Sequence, residues 1–156
     1  MQPISGDLAT RFSLLELPFD TLPSKEEIER QAQSPNVYER RRANLLLAQI
    51  QKEGALSPTY PYPVQLWRLG DGPNWIALGG EVVVDYSLRL KIELGPGRTW
   101  VAGYCNDVMA YIPSLRVLRE GGYEGGGAMV YYGLPTKWAP EVEDLIVAKV
   151  HELAKQ

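Results

Sequence analysis

Cysteine occurs once in these 156 residues, as Cys105, so an internal disulfide framework is excluded. Histidine also occurs once, as His151, which restricts any catalytic zinc centre built from imidazole, its commonest donor. No run approaches the roughly 18 apolar residues of a membrane-spanning helix. Excess positive charge is missing too. The 16 Lys and Arg against 19 Asp and Glu leave a net charge of −3, which gives no electrostatic basis for binding nucleic acid or an anionic membrane. The opening segment, MQPISGDLATRF, has neither the basic start nor the apolar block of a secretory leader. There is no G-x-S-x-G, and Cys105 has no evident histidine partner, so other nucleophilic hydrolase chemistry is poorly supported. What is present, 45% hydrophobic and 22% charged residues, is ordinary for one globular domain with a real core.

The pattern along the chain is mixed. Partial alternation over 8–19 suggests a strand ended by Pro18. Ser24 followed by Glu27 forms a capping box for a helix over 21–33, which Ser34-Pro35-Asn36 breaks. A second helix is expected over 37–52, with Gly54 to end it and Arg40, Arg41 and Arg42 on its solvated face. The prolines of 57–63 force extended chain leading into an alternating strand over 64–69. Gly70-Asp71-Gly72-Pro73 then turns into a returning strand over 74–78, an antiparallel hairpin. Val83, Tyr86, Leu90 and Leu94 share a helical face, so a helix is expected over 82–94. Another strand is expected at 100–102, a short helical pattern carries Leu115, Val117 and Leu118, and the apolar run 128–132 reads as a strand or edge segment. A last helix over 141–154 has its acidic residues first and Lys149, His151 and Lys155 later, matching the helix dipole. His151 therefore reads as structural. The fold class is α/β (α+β): a mixed sheet with an antiparallel hairpin and packed helices, with no repeat and no linker dividing residues 1–156.

The stretch from Thr99 to Gly127, TWVAGYCNDVMAYIPSLRVLREGGYEGGG, organises the reading of function. It runs from an apolar strand through a polar turn to Tyr111, then to Tyr123 among five glycines. These tyrosines are either packing residues with surface hydroxyls or two phenols presented to one cavity. Glu81, at a strand end and helix start, is open in the same way. Free N–H groups of a first helical turn favour a carboxylate there, and α/β proteins also place ligand-binding residues there.

The wording G-Y-C-N-D-V-M-A-Y-I-P-S followed by Y-E-G-G, together with Gly80-Glu81, resembles the late catalytic-domain motif of the neutral/alkaline, non-lysosomal ceramidases. The resemblance is best between Gly79 and Gly133 and implies a zinc amidohydrolase. On it, Glu81 falls on the zinc glutamate, Tyr111 on the zinc tyrosine, and Tyr123 on a second tyrosine that holds the substrate amide or its oxyanion. The family's two zinc histidines have no counterpart here. The resemblance therefore implies the C-terminal portion of a catalytic domain with an incomplete Zn2+ site. Its partners would be the missing N-terminal part and a ceramide-like lipid, cleaved to a fatty acid and a sphingoid base. It also implies a parent secreted or periplasmic like related enzymes, while the residues themselves leave the compartment open.

Two features depart from that pattern. The span from Glu81 to Tyr111 is shorter than in the best-known ceramidases, and Ala110 stands where relatives often carry a histidine or other polar group. Both bear on substrate rather than on the ligands. The alternatives are a same-family zinc amidase acting on another N-acyl substrate, and a non-catalytic α/β interaction module. If a covering half is absent, apolar surface is expected to be exposed or buried between copies of the chain.

Overall fold

The computed structural model describes residues 3–155; Met1 and Gln2, at the start of the segment without leader features, and Gln156 lie outside them. Strand β1 (Leu8–Pro18) is followed by helices α1 (Lys25–Gln31) and α2 (Val37–Glu53). Strands β2 (Thr59–Leu69), β3 (Asn74–Leu78) and β4 (Glu81–Val82) precede α3 (Val84–Leu94), β5 (Thr99–Ala102) and β6 (Tyr111–Ile112). Helix α4 (Leu115–Glu120), a π turn over Tyr123–Gly127, α5 (Met129–Tyr132) and α6 (Val142–Lys155) complete the order. The sheet runs β1-β2-β3-β5, antiparallel except for the parallel β3–β5 pair, and β4 pairs with β6 in a separate parallel ribbon. This is the mixed α/β architecture expected from the pattern.

Local chemistry accounts for most boundaries. Ser24 Oγ accepts from Glu27 N at 3.2 Å while Ser24 N donates to the Glu27 carboxylate at 2.7 Å, the reciprocal capping box of α1. Asn36 caps α2 by accepting from Tyr38 N at 3.0 Å, and Gly54 closes it at φ 86°. Pro61 and Pro63 sit inside β2, opposite Glu16 and Leu14 of β1. Pairing of β2 with β3 begins only at Val64, so neither proline has to donate to that side. The extended proline segment is thus part of the strand.

Helix α6 and helix α3 cover one face of the sheet. Tyr62, Val64 and Leu66 of β2, Ile76 and Leu78 of β3, Tyr86 and Leu90 of α3, and Val142, Ile146 and Val150 of α6 are all fully buried in this core. Helices α1 and α2 share a smaller cluster of Ile28, Ala43 and Leu46. The opposite face of the sheet is open. There Leu8, Phe12 and Leu14 of β1 line up with Trp75 of β3 and Trp100 of β5, all exposed, and a shallow groove of about 470 Å³ runs past Trp67, Trp75 and Cys105.

Two expectations are corrected. Residues 82–83 are not helical: Val82 belongs to β4, and Val83 N donates to Ile112 O at 3.1 Å, so their β preference prevails and α3 starts at Val84. The run 128–132 is not a strand. Ala128 N donates to Tyr123 O at 2.9 Å, which continues the π turn into α5, and Gly133 ends that helix at φ 77°. Apolar composition alone could not separate the two states in so short a run. No helix among the described residues is long and apolar enough to cross a membrane.

Candidate functional site

Glu81 and Tyr111 stand thirty positions apart in the chain yet are register partners across the β4–β6 ribbon. Glu81 N donates to Ala110 O at 2.9 Å, and Gly80 N donates to Asp107 O at 2.8 Å. Gly80 is required here. It holds φ 66°, and a Cβ would lie 2.7 Å from Ala110 O and 2.8 Å from Ile112 Cγ1. Ala110 itself is fully buried. The turn between β5 and β6 folds back over the end of β3, with Tyr104 N on Gly80 O at 2.8 Å and Cys105 N on Leu78 O at 3.0 Å. Tyr104 and Asn106 both adopt left-handed backbone, φ 57° and 67°, a strained state held by these contacts.

Around Glu81 the phenols converge. Hydrogen bonding to the Glu81 carboxylate, with burial second, pushes the Tyr104 and Tyr111 hydroxyls up to about 12. Burial and then the same negative charge also raise Tyr132. The Glu81 carboxylate thus favours the protonated form of both hydroxyls.

Tyr123 lies edge-on to Tyr111 with ring centroids 5.4 Å apart. Its other neighbour is Tyr131 at 5.9 Å, which meets Tyr38 of α2 at 4.7 Å. The main chain at Tyr111 is anchored from behind, where Trp138 Nε1 donates to Tyr111 O at 2.9 Å from a buried indole stacked on Phe19. The loop carrying Tyr123 is shaped by its glycines: a Cβ on Gly125 would lie 2.6 Å from Val117 O, so the loop packs directly on the backbone of α4. Gly125 thus serves packing, whereas Gly121 and Gly122 have open space around them.

The structure therefore brings Glu81, Tyr111 and Tyr123 to one surface. His151 is elsewhere: on α6, its Nε2 lies 2.5 Å from the Glu93 carboxylate of α3, an inter-helix contact. The donor set at Glu81 is one carboxylate and neighbouring phenols, hard oxygen groups acceptable to zinc. No cluster of three or more His, Cys, Asp or Glu side chains able to hold a metal occurs among the described residues. Glu81 and Tyr111 offer two oxygen donors from adjacent strands.

The sequence pattern alone gives no role to Tyr104 or Tyr132. Tyr104 was visible within the G-Y-C-N-D motif, but only its left-handed backbone turns it towards Glu81; Tyr132 was hidden by the strand reading of 128–132.

No family model matches the chain, and no curated protein matches it. Among solved structures a ceramidase complexed with C2 matches over 96% of this chain and 31% of its own length, at 17% identity and a TM-score of 0.43. The chain thus spans about a third of that protein.

Proposed function

We propose that this chain supplies one wall of a zinc-dependent amidohydrolase centre of ceramidase type, cleaving the N-acyl amide of a ceramide-like lipid to a fatty acid and a sphingoid base. One observation carries the reading. Glu81 and Tyr111 are paired residue to residue across a ribbon, and Tyr123 stands against Tyr111. Glu81 and Tyr111 would each give an oxygen ligand to zinc, with imidazole donors from outside this chain. A bound zinc supplies an acidified water and polarises the amide carbonyl.

The chain's own residues have defined tasks in that scheme. The Glu81 carboxylate compensates cationic charge and accepts the proton-bearing end of Tyr111 when the site is bare. Tyr123, exposed and beside Tyr111, donates its hydroxyl hydrogen to the oxygen that becomes anionic as the amide is attacked. Trp138 fixes the Tyr111 main chain from the protected side.

The test is zinc titration by calorimetry with and without excess imidazole. The chain alone is expected to bind zinc weakly, and imidazole is expected to tighten binding in wild type but not in Glu81→Ala or Tyr111→Phe. Equal binding in all three proteins would overturn the assignment. The open sheet face, with Trp75 and Trp100 exposed, supports a second reading as an interaction module. That reading expects no zinc response at all.

A further inference from the structure

A cavity of about 600 Å³, not lined by Glu81, lies between α1, α2 and the back of the glycine loop. Arg42 and Lys137 line it together with Gln31, Thr136 and the backbones of Gly122 and Gly126. Arg42 does not lie on the solvated face expected of the Arg40–Arg42 run; it is half-buried and turned towards α1. Its Nη2 donates to Gln31 Oε1 at 2.7 Å, a neutral acceptor, while its Nε is shut off from water with no partner. An N–H of a guanidinium in that state has lost its water without gaining an acceptor. Glu39 acts on Arg42 through its charge, but its carboxylate accepts the Ser34 hydroxyl at 2.6 Å. Glu27, also on the cavity wall, is engaged by Ser24 N. The second cation, Lys137, meets Asp20 at 3.2 Å, and its stem lies so close to Gly126 that a Cβ there would come within 2.9 Å.

We propose that this cleft binds a small oxyanion group, a carboxylate or a phosphate, with Arg42 as its main donor and Lys137 as its second. The terminal nitrogens of an arginine fork match the paired oxygens of either group, and a partly enclosed site strengthens such charge-assisted bonds. The glycine backbones leave the opposite wall free of side chains, so the ligand can approach the main chain of the loop. This inference is independent of the zinc reading and stands or falls separately from it.

Nuclear magnetic resonance on the whole chain tests it, with inorganic phosphate and acetate titrated separately at constant ionic strength. Saturable shifts of the Arg42 Nε–H and of the Gly121–Gly127 amides are expected, with a Kd of about 1 mM or tighter for the preferred anion. The tighter of the two identifies the group. Arg42→Gln is expected to weaken binding about ten-fold or more, and Lys137→Gln to weaken it less, as the loss of charge-assisted hydrogen bonds implies. Non-saturable shifts, shifts at other residues, or unchanged affinity in Arg42→Gln would overturn the proposal. If Arg42→Gln does not fold by circular dichroism, the wild-type Arg42 Nε–H signal decides: a saturable shift supports the site, and a static signal refutes it.

Discussion

At the scale of single residues, two positions bear more of the structure than their size suggests. Gly80 combines positive φ with contacts that leave no space for a methyl group. Gly80→Ala is expected to cost about 1–3 kcal/mol in chemical denaturation and to abolish any zinc response that depends on Glu81, because β4 can no longer lie beside β6. Asp85, in the first turn of α3, accepts from Ser114 Oγ and pairs with Arg116 at 3.0 Å. The Arg116 hydrogen bond and then that from Ser114 hold its carboxyl below the ordinary value of 3.8. The group is anionic in the folded chain over a wider range than in the unfolded chain. Its contribution is therefore full above about pH 4 and is lost as pH falls through the lowered folded value. Asp85→Asn is expected to lower stability at pH 7 by about 1–3 kcal/mol, and the difference from wild type should shrink in denaturation curves measured towards pH 3. Gly80 stands in the Gly80-Glu81 wording, but the sequence shows the structural burden of neither position. A glycine between two strands and an aspartate at a helix start are both common, and their partners lie about thirty residues away.

At the scale of elements, the pattern of apolar and turn residues was enough for the β2–β3 hairpin, for α2 and for α6. These are long or regular, and their signals are local. It failed where local signals conflict with tertiary contacts. Val82 and Val83 sit on a helical face by spacing, yet the hydrogen bonds offered by β6 hold them extended. Met129–Tyr132 has strand composition, yet the π turn delivers it as a helix whose Tyr131 packs on Tyr38. The pairing of β1 with β2 joins segments some fifty residues apart and leaves no mark in either one. Capping offers the cleanest test at this scale. Ser24→Ala removes the acceptor for Glu27 N and is expected to cost about 1 kcal/mol, read as a shift in the denaturation midpoint with unchanged slope.

At the scale of the whole molecule, the sheet is covered on one face and open on the other. Leu8, Phe12, Leu14, Trp75 and Trp100 form an uncharged apolar surface, of the kind expected if part of the protein's natural covering lies elsewhere. Sedimentation is expected to show concentration-dependent self-association of the chain, abolished by a Trp75→Lys, Trp100→Lys double substitution; a monomer at every concentration would contradict this. The candidate site lies apart from that face, at the β4–β6 ribbon, and it was legible as three residues but not as a geometry. Glu81, Tyr111 and Tyr123 were marked by motif, while the convergence of Tyr104 and Tyr132 on Glu81 depends on a left-handed turn and a short helix that no spacing announces. The central claim is that Glu81 and Tyr111 act together on a cation. A divalent ion beside Tyr111 should reverse the effect of Glu81 on its hydroxyl and release the phenolic proton near neutral pH. Ultraviolet difference spectroscopy at pH 7, with zinc added in the presence of imidazole, reads tyrosinate formation directly. The account expects a tyrosinate signal in wild type that disappears in both Tyr111→Phe and Glu81→Ala; no signal in wild type, or one that persists in Tyr111→Phe, would contradict it.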